Sequence, residues 1–375
     1  MRKLNVAIIG HSFMGKAHSN AWRQARAFFA LPAEPVLKVA CGRDAAALAE
    51  FAHRWGWERM ETDWRRAVCS DDVDVVDIAT PTYLHHPIAL EAAQAGKHIL
   101  CEKPMALNAA QAREMYQAAE QAGVKHFVNH NYRRCPAVRL ARRLIEEGRV
   151  GRIFHWRAAY LQSWIVDPRF PLLWQLQREA AGSGPHGDLG SHSVDLARYL
   201  VGEIRSITGM ATNFITERPL PGGGRGRVTV EDASFMVLEF ANGALGSLEV
   251  TRFAPGRKNH NTFEIYGDKG SIRFDFERMN ELEFFTSSDP QHAQGFRTIL
   301  ATDGSHDYMS SWWPPGHAIG FEHAFVHGVV DFVAAIANDA PIQPSFHDGT
   351  RIAEVLDAGM RSATTGARVE IPSGP

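Results

Sequence analysis

The chain has 375 residues, enough for two domains of ordinary size and too many to need disulfide or metal staples. Forty Lys and Arg against 42 Asp and Glu leave a formal charge of -2, a field too weak to draw nucleic acid or an acidic membrane surface. Cys41, Cys69, Cys101 and Cys135 contain no C-x-x-C pair, which speaks against a disulfide framework and for a reducing, cytoplasmic setting, and no apolar run approaches the ~18 residues of a spanning helix.

Met1-Arg2-Lys3 ahead of Leu4 to Ile9 imitates a signal peptide, but the apolar run is short and no small-residue cleavage site follows, so a buried first strand is expected. From there to about residue 128, short apolar strands alternate with helical stretches, as in a parallel sheet covered by helices. The strands are Leu4 to Ile9, Val36 to Cys41, Val73 to Ala79, His98 to Cys101 and His126 to Val128. Asp44 to Trp55, Pro87 to Ala95 and Asn108 to Gln121 carry apolar residues at helical spacing, with Gly96 and Gly123 placed as C-terminal caps. A helix over about Ala137 to Glu147 comes next.

The texture then becomes β-rich: Arg152 to Leu161, Ile204 to Thr216, Val228 to Phe240, Leu245 to Phe253, Thr262 to Tyr266, Ser271 to Phe276 and Leu282 to Phe285. Together they predict one large, open, mostly antiparallel sheet. A helix at about Asp188 to Val201 interrupts it, Pro219 to Arg227 is a loop, and Gly320 to Ala337 and Gly349 to Ser362 are terminal helices. The expected domains are 1–128, a doubly wound parallel sheet, and 129–375, an α/β domain for substrate binding and oligomerisation.

Gly10-His11-Ser12-Phe13-Met14-Gly15 joins the first strand to a helix, as in a dinucleotide-binding turn whose glycines permit backbone approach to a pyrophosphate. Ser12 replaces the middle glycine but stays small, and the helix N-terminus supplies an anion site. After the second strand, where an NAD enzyme carries an acid for the ribose, stand Gly42 and Arg43. Loss of the carboxylate and gain of a guanidinium lean the cofactor toward NADP, although Asp44 is placed to stand in partly for the acid.

Thr80-Pro81 with His85, and Glu102-Lys103-Pro104, lie at carboxyl ends of strands, where such sheets bind ligand. Glu102 offers Lys103 a counter-charge, and Pro104 admits a cis bond. Asp188 and His192, four apart at the head of a helix, are expected on one face with the carboxylate orienting the imidazole. Trp164 beside Gln162 presents a flat ring suited to the apolar face of a sugar. His317, His323 and His327 lack the acid order and third-ligand spacing of a metal site, so no metal is expected.

In order along the chain, the glycine turn, Thr80-Pro81 with His85, Glu102-Lys103-Pro104, Asn131-Tyr132-Arg133, and Asp188 with His192 resemble the Gfo/Idh/MocA oxidoreductase family. Met14 to Ser19, Asn131 to Arg134, Tyr160 to Gln162, Asp195 to Gly202 and Gly295 to Thr298 are similar to its levoglucosan dehydrogenase branch. The resemblance implies a Rossmann domain binding NAD or NADP through Gly10, Ser12, Phe13, Met14, Gly15, Gly42, Arg43, Thr80, Pro81, His85, Glu102, Lys103 and Asn131. It implies catalysis by Lys103, Asp188 and His192, with Tyr132, Gln162 and Trp164 also contacting substrate, and a homodimer or homotetramer paired through the C-terminal sheet. The expected activity is oxidation of a secondary ring hydroxyl of a sugar, anhydrosugar, glycoside or polyol, with neither nucleic acid nor membrane as partner. A redox-neutral glycosidase that retains NAD and a non-catalytic dinucleotide-binding regulator are the alternatives on this scaffold.

Overall fold

The computed structural model describes residues 2–372. They form two compact units, one of residues up to Arg134 together with Gly320–Thr350, the other of Cys135–Ile319 together with residues from Arg351 onward.

The first unit alternates β1 (Lys3–Ile9), α1 (Phe13–Phe28), β2 (Glu34–Cys41), α2 (Ala45–Trp55), β3 (Arg59–Glu61), α3 (Trp64–Val68), β4 (Val75–Ile78), α4 (His85–Gln94), β5 (His98–Cys101), α5 (Ala109–Gln121) and β6 (His126–Val128). The strands lie in the order β3-β2-β1-β4-β5-β6, all parallel, so the winding direction reverses at β1 and β4. That order is the doubly wound dinucleotide fold, with its ligand crevice at the carboxyl ends of the strands. Central strands covered on both faces read as continuous apolar runs rather than as alternation. β4 is the clearest case: Val75-Val76-Asp77-Ile78 is wholly buried despite its aspartate. β3 and α3, of three and five residues, are too short to leave a periodic trace in the sequence.

The second unit begins with α6 (Pro136–Glu146) and β7 (Ile153–Leu161), followed by α7 (Arg178–Ala181), α8 (Pro185–Asp188), α9 (Gly190–Leu200), β8 (Ile204–Thr212), β9 (Glu217–Pro219), β10 (Arg225–Arg227), β11 (Ala233–Phe240), β12 (Leu245–Thr251), β13 (His260–Gly267), β14 (Gly270–Asp275), β15 (Glu281–Thr286) and β16 (Arg297–Leu300). Later in the chain come α10 (His323–Ala337), α11 (Phe346–Thr365) and β17 (Val369–Glu370). The nine-stranded sheet runs β16-β15-β14-β13-β7-β12-β11-β8-β17 and is antiparallel except where β7 lies parallel to β12. Alternation divides its residues: Trp156, Leu248, Val250, Met236, Leu238 and Ile265 are buried, whereas Met210, Phe235, Val237 and Leu245 face outward.

Two expectations need correction. The stretch expected as a loop over Pro219 to Arg227 has pairing ends, with Arg225 opposite Pro219 and Arg227 opposite Glu217. Fully buried Arg218 anchors that pair by donating to the carbonyls of Ile165 and Asp167. The helix expected from Asp188 is two helices broken at Leu189, where the His192 N–H reaches back three residues to the Leu189 carbonyl. The compact units also divide the chain differently from a boundary at 128/129, because α10 packs on α1 in the first unit. Periodicity marks α10 as a buried helix without saying which core receives it. Phe332, fully buried, stacks on Phe127 at 5.8 Å.

Phe332→Ala should therefore cost the first unit about 3–5 kcal/mol, the usual range for truncating a buried phenylalanine. Amide exchange should accelerate in β5 and β6 while β11 and β12 keep their protection; the reverse pattern would contradict the assignment of α10.

Candidate active site

The turn after β1 is defined by what its glycines leave out. Gly10 has φ +118°, and a Cβ there would lie 2.4 Å from the Ala79 carbonyl oxygen; a Cβ on Gly15 would lie 2.2 Å from the Gly10 carbonyl oxygen. Only missing side chains allow the turn, α1 and the end of β4 to approach so closely. Ser12 is the N-cap of α1 but makes no side-chain capping bond, and the first turn holds no acid, so its N–H groups suit an anion. Phe13 is exposed and stacks with Phe321 at 6.3 Å, while Met14 is half-buried.

Past β2, a Cβ on Gly42 would fall 2.1 Å from Nδ1 of His11, whose ring fills the space an acidic side chain would take. Sequence reading missed this pairing, since nothing in the spacing of residues 11 and 42 announces it. Arg43 is exposed. Asp44 serves as the cap of α2 instead, accepting from Ala46 and Ala47 N–H at 3.1 Å each.

At the carboxyl ends of β4, β5 and β6 the structure gathers Thr80, Pro81, His85, Glu102, Lys103, Asn131 and Tyr132. His85 is a strut, its Nε2 2.9 Å from the Thr80 carbonyl and its Nδ1 3.0 Å from that of Pro104, and burial pulls its pKa below the ordinary value. The Lys103–Pro104 bond is cis. Oγ1 of Thr80 and Nδ2 of Asn131 are buried without a hydrogen-bond partner among the described residues. Orphaned polar atoms are costly unless a ligand or water meets them. Together with the glycine cradle, they fit a bound dinucleotide.

Beneath Lys103 lies a polar network that the sequence reading overlooked. Buried His18 on α1 places Nδ1 2.7 Å from Asp77 Oδ1 and Nε2 2.9 Å from Glu102 Oε1. Trp22 Nε1 donates to Asp77 Oδ2 at 2.7 Å, Asn129 Nδ2 to Glu102 Oε1 at 2.7 Å, and the Lys103 N–H to Glu102 Oε2 at 3.2 Å. Burial alone would lower the His18 pKa, but the charges and hydrogen bonds of Asp77 and Glu102 push it up to about 10. Burial alone would raise Glu102; His18, Lys103 and Asn129 hold it below the ordinary range. An acid inside a four-residue buried strand was the available clue, because Asp77 requires a partner.

In the second unit, Gln162, Trp164, Asp188 and His192 belong to one connected set. The Tyr160 and His192 rings lie 6.0 Å apart, and Tyr160 Oη donates to Asn259 Oδ1 at 2.7 Å. Gln162 Nε2 donates to the same oxygen at 3.0 Å and accepts from Trp164 Nε1 through Oε1 at 2.8 Å. The Arg252 guanidinium lies 4.9 Å from the Trp164 ring centroid and is ion-paired with Asp188. Trp164 keeps 40% of its surface exposed; Trp156 and Tyr160 are core. Arg252 and Asn259 were not anticipated, because they arrive from the ends of β12 and β13, distant in sequence from the residues they hold.

The histidines considered for metal are engaged otherwise: His327 Nδ1 faces the Arg134 carbonyl at 2.9 Å, and His323 Nδ1 accepts from Gly320 N–H at 3.0 Å. Among the described residues, His260, Asp275 and Glu277 form a three-donor group, with His260 Nδ1 3.6 and 3.5 Å from the two carboxylates.

Comparison with known proteins places the chain in a family. Residues 4–130 match the oxidoreductase family with an NAD-binding Rossmann fold, and residues 138–273 match the GFO/IDH/MocA C-terminal domain. The levoglucosan dehydrogenase of Pseudarthrobacter phenanthrenivorans is 44% identical, the alignment covering 99% of each chain. The structure of a levoglucosan dehydrogenase in complex with NADH and levoglucosan superposes with a TM-score of 0.97 at 45% identity, covering 99% of this chain and 100% of that one. An oxidoreductase domain protein from Kribbella flavida gives 0.97 at 48% identity, covering all of both chains. Matched along nearly its whole length, the chain belongs to the Gfo/Idh/MocA oxidoreductase family.

Proposed function

We propose that this chain is an NAD(P)-dependent dehydrogenase oxidising a secondary ring hydroxyl of a pyranose-type sugar, anhydrosugar, glycoside or polyol, levoglucosan first among them. The observation that carries the reading is the connected set of Trp164, Gln162, Arg252, Asp188, Tyr160 and His192, in a chain of full-length likeness to levoglucosan dehydrogenase. An exposed indole beside amide and carboxylate groups suits a ring with one apolar face and a polar rim.

Oxidation of a carbinol breaks the O–H and C–H bonds and forms C=O, releasing a proton and a hydride. A nicotinamide dinucleotide held by the residues named below would supply the hydride acceptor. His192 is assigned as base for the hydroxyl proton, with Asp188 supporting its protonated form. Lys103 stabilises charge developing on the oxygen. Tyr132, Gln162 and Trp164 hold the ring. Gly10, Ser12, Phe13, Met14 and Gly15 would hold the pyrophosphate, and Thr80, Pro81 and Asn131 the remainder of the cofactor, while His85 and Glu102, expected from sequence to touch it, are turned to the Thr80 and Pro104 carbonyls and to the His18 network and brace that end from beneath.

Lys103→Met and His192→Ala should each lower turnover by roughly two orders of magnitude or more, with NADH affinity changing far less. Steady-state assays with levoglucosan, beside a fluorescence titration of NADH, check this; full activity in Lys103→Met would remove the mechanism.

For the cofactor, Gly42 and exposed Arg43 support NADP(H) binding at least as well as NAD(H). Arg43→Ala should then weaken NADP(H) by about tenfold, the value of a lost charge-assisted bond, and leave NAD(H) unchanged. Clear NAD(H) preference in the unmutated chain, identical in the variant, would refute the lean.

The outward face of the nine-stranded sheet carries Met210 and Val237, 76% and 60% exposed, with Phe235 and Leu245. Such a patch favours a second copy of the same sheet, giving a homodimer or homotetramer. Light scattering at micromolar concentration should return a multiple of 41.6 kDa that falls to one chain in Val237→Lys; a single-chain mass before mutation would overturn the proposal. The free cysteines suit a reducing, cytoplasmic compartment.

A further inference from the structure

His18 sits at the bottom of a stack that ends at Lys103. Both its ring nitrogens face carboxylate oxygens, Asp77 Oδ1 at 2.7 Å and Glu102 Oε1 at 2.9 Å. A neutral imidazole donates from one nitrogen only, whereas an imidazolium donates from both. All three side chains are at most 5% exposed. Two carboxylates buried so deeply cannot both stay ionised without a cation between them.

The opposite end of Glu102 is turned toward Lys103, whose backbone N–H it accepts at 3.2 Å. Asn129 and His18 both approach Oε1, fixing the rotation of the carboxylate. The other titratable neighbours described against this group are Cys101 and His85. Burial pushes the Cys101 thiol up and His85 down, so both are neutral near pH 7. Phe325 of α10 closes the remaining side, its ring 5.5 Å from that of His18. With His18 protonated, the triad carries one net negative charge, and Lys103 is the cation it faces.

We propose that His18 is a positioning residue for Lys103: a buried imidazolium clamped by Asp77, it holds Glu102 as the carboxylate that anchors the Lys103 backbone and favours its ammonium form. The inference rests on the assignment of Lys103 to the reacting oxygen. His18 reaches no reacting atom; it acts through Glu102. The sign follows from charge: an ammonium needed for turnover is lost as pH rises through its pKa, and removing a neighbouring negative charge lowers that pKa.

Three measurements on the full-length protein with NADH or NAD test this. Magnetic resonance of isotope-labelled histidine, the His18 signal assigned by its loss in His18→Gln, should show both ring nitrogens protonated at about pH 8, between the ordinary 6.5 and the folded value of about 10. A neutral His18 ring at that pH would overturn the proposal. Glu102→Gln, which keeps the shape and removes the charge, should lower kcat roughly tenfold or more and move the alkaline limb of the kcat profile down by roughly one unit. Its NADH affinity and levoglucosan KM should stay within about threefold. An unmoved limb contradicts the proposal even if activity falls, because a merely structural role would not shift it. Should His18→Gln fail to fold and leave that signal unassigned, the alkaline limb of Glu102→Gln still decides. Lys103→Met serves as reference: full activity there removes the reading of Lys103 itself, whereas an inactive Lys103→Met with a neutral His18 removes only this inference.

Discussion

The first unit depends on a backbone approach that two missing side chains permit. With no Cβ at Gly10 or Gly15, α1 begins directly against the turn from β1 and beside the end of β4. That seating brings His18, just past the first turn of the helix, within hydrogen-bond distance of Asp77 and Glu102. Glu102 in turn holds the N–H of Lys103. One steric constraint therefore fixes the helix end whose N–H groups suit an anion and, through a buried charge network, the segment that carries the lysine.

The second unit solves a different problem. Helices α8 and α9 cover one face of its sheet, and the other face presents Met210 and Val237 to the outside. From the rim of that sheet, Gln162 and Trp164 follow β7, Arg252 follows β12 and Asn259 precedes β13. Neighbouring β7, β12 and β13 bring these ends together, so residues almost a hundred positions apart share hydrogen bonds. Arg252 connects Trp164 to Asp188 in a single guanidinium, which binds the aromatic surface to the carboxylate.

What the sequence made legible was local. Strand-turn-helix order announced the parallel sheet, alternation announced the open sheet, and Gly10 to Gly15, Glu102-Lys103-Pro104 and Asp188 with His192 were visible as runs of a few residues. Features made by packing were not. The contact of His11 with Gly42, the pairing of Asp188 with Arg252 and the docking of α10 on α1 join distant segments, and no periodicity encodes which partner each will meet. Asp77 was the exception that spacing alone could have flagged, since an ionisable side chain within a wholly buried strand demands a counter-charge.

Net hydride transfer from a sugar carbon to the cofactor is tested most directly by isotope tracing. Levoglucosan deuterated at every ring carbinol carbon, incubated with NAD or NADP and the unmutated protein, should yield one deuterated reduced nicotinamide for each ketone formed, with a primary isotope effect on the single-turnover rate. Deuterium retained in a rearranged or hydrolysed sugar without net cofactor reduction would point instead to a redox-neutral glycosidase, and no conversion across a panel of pyranoses and polyols to a dinucleotide-binding regulator; either result would contradict the account.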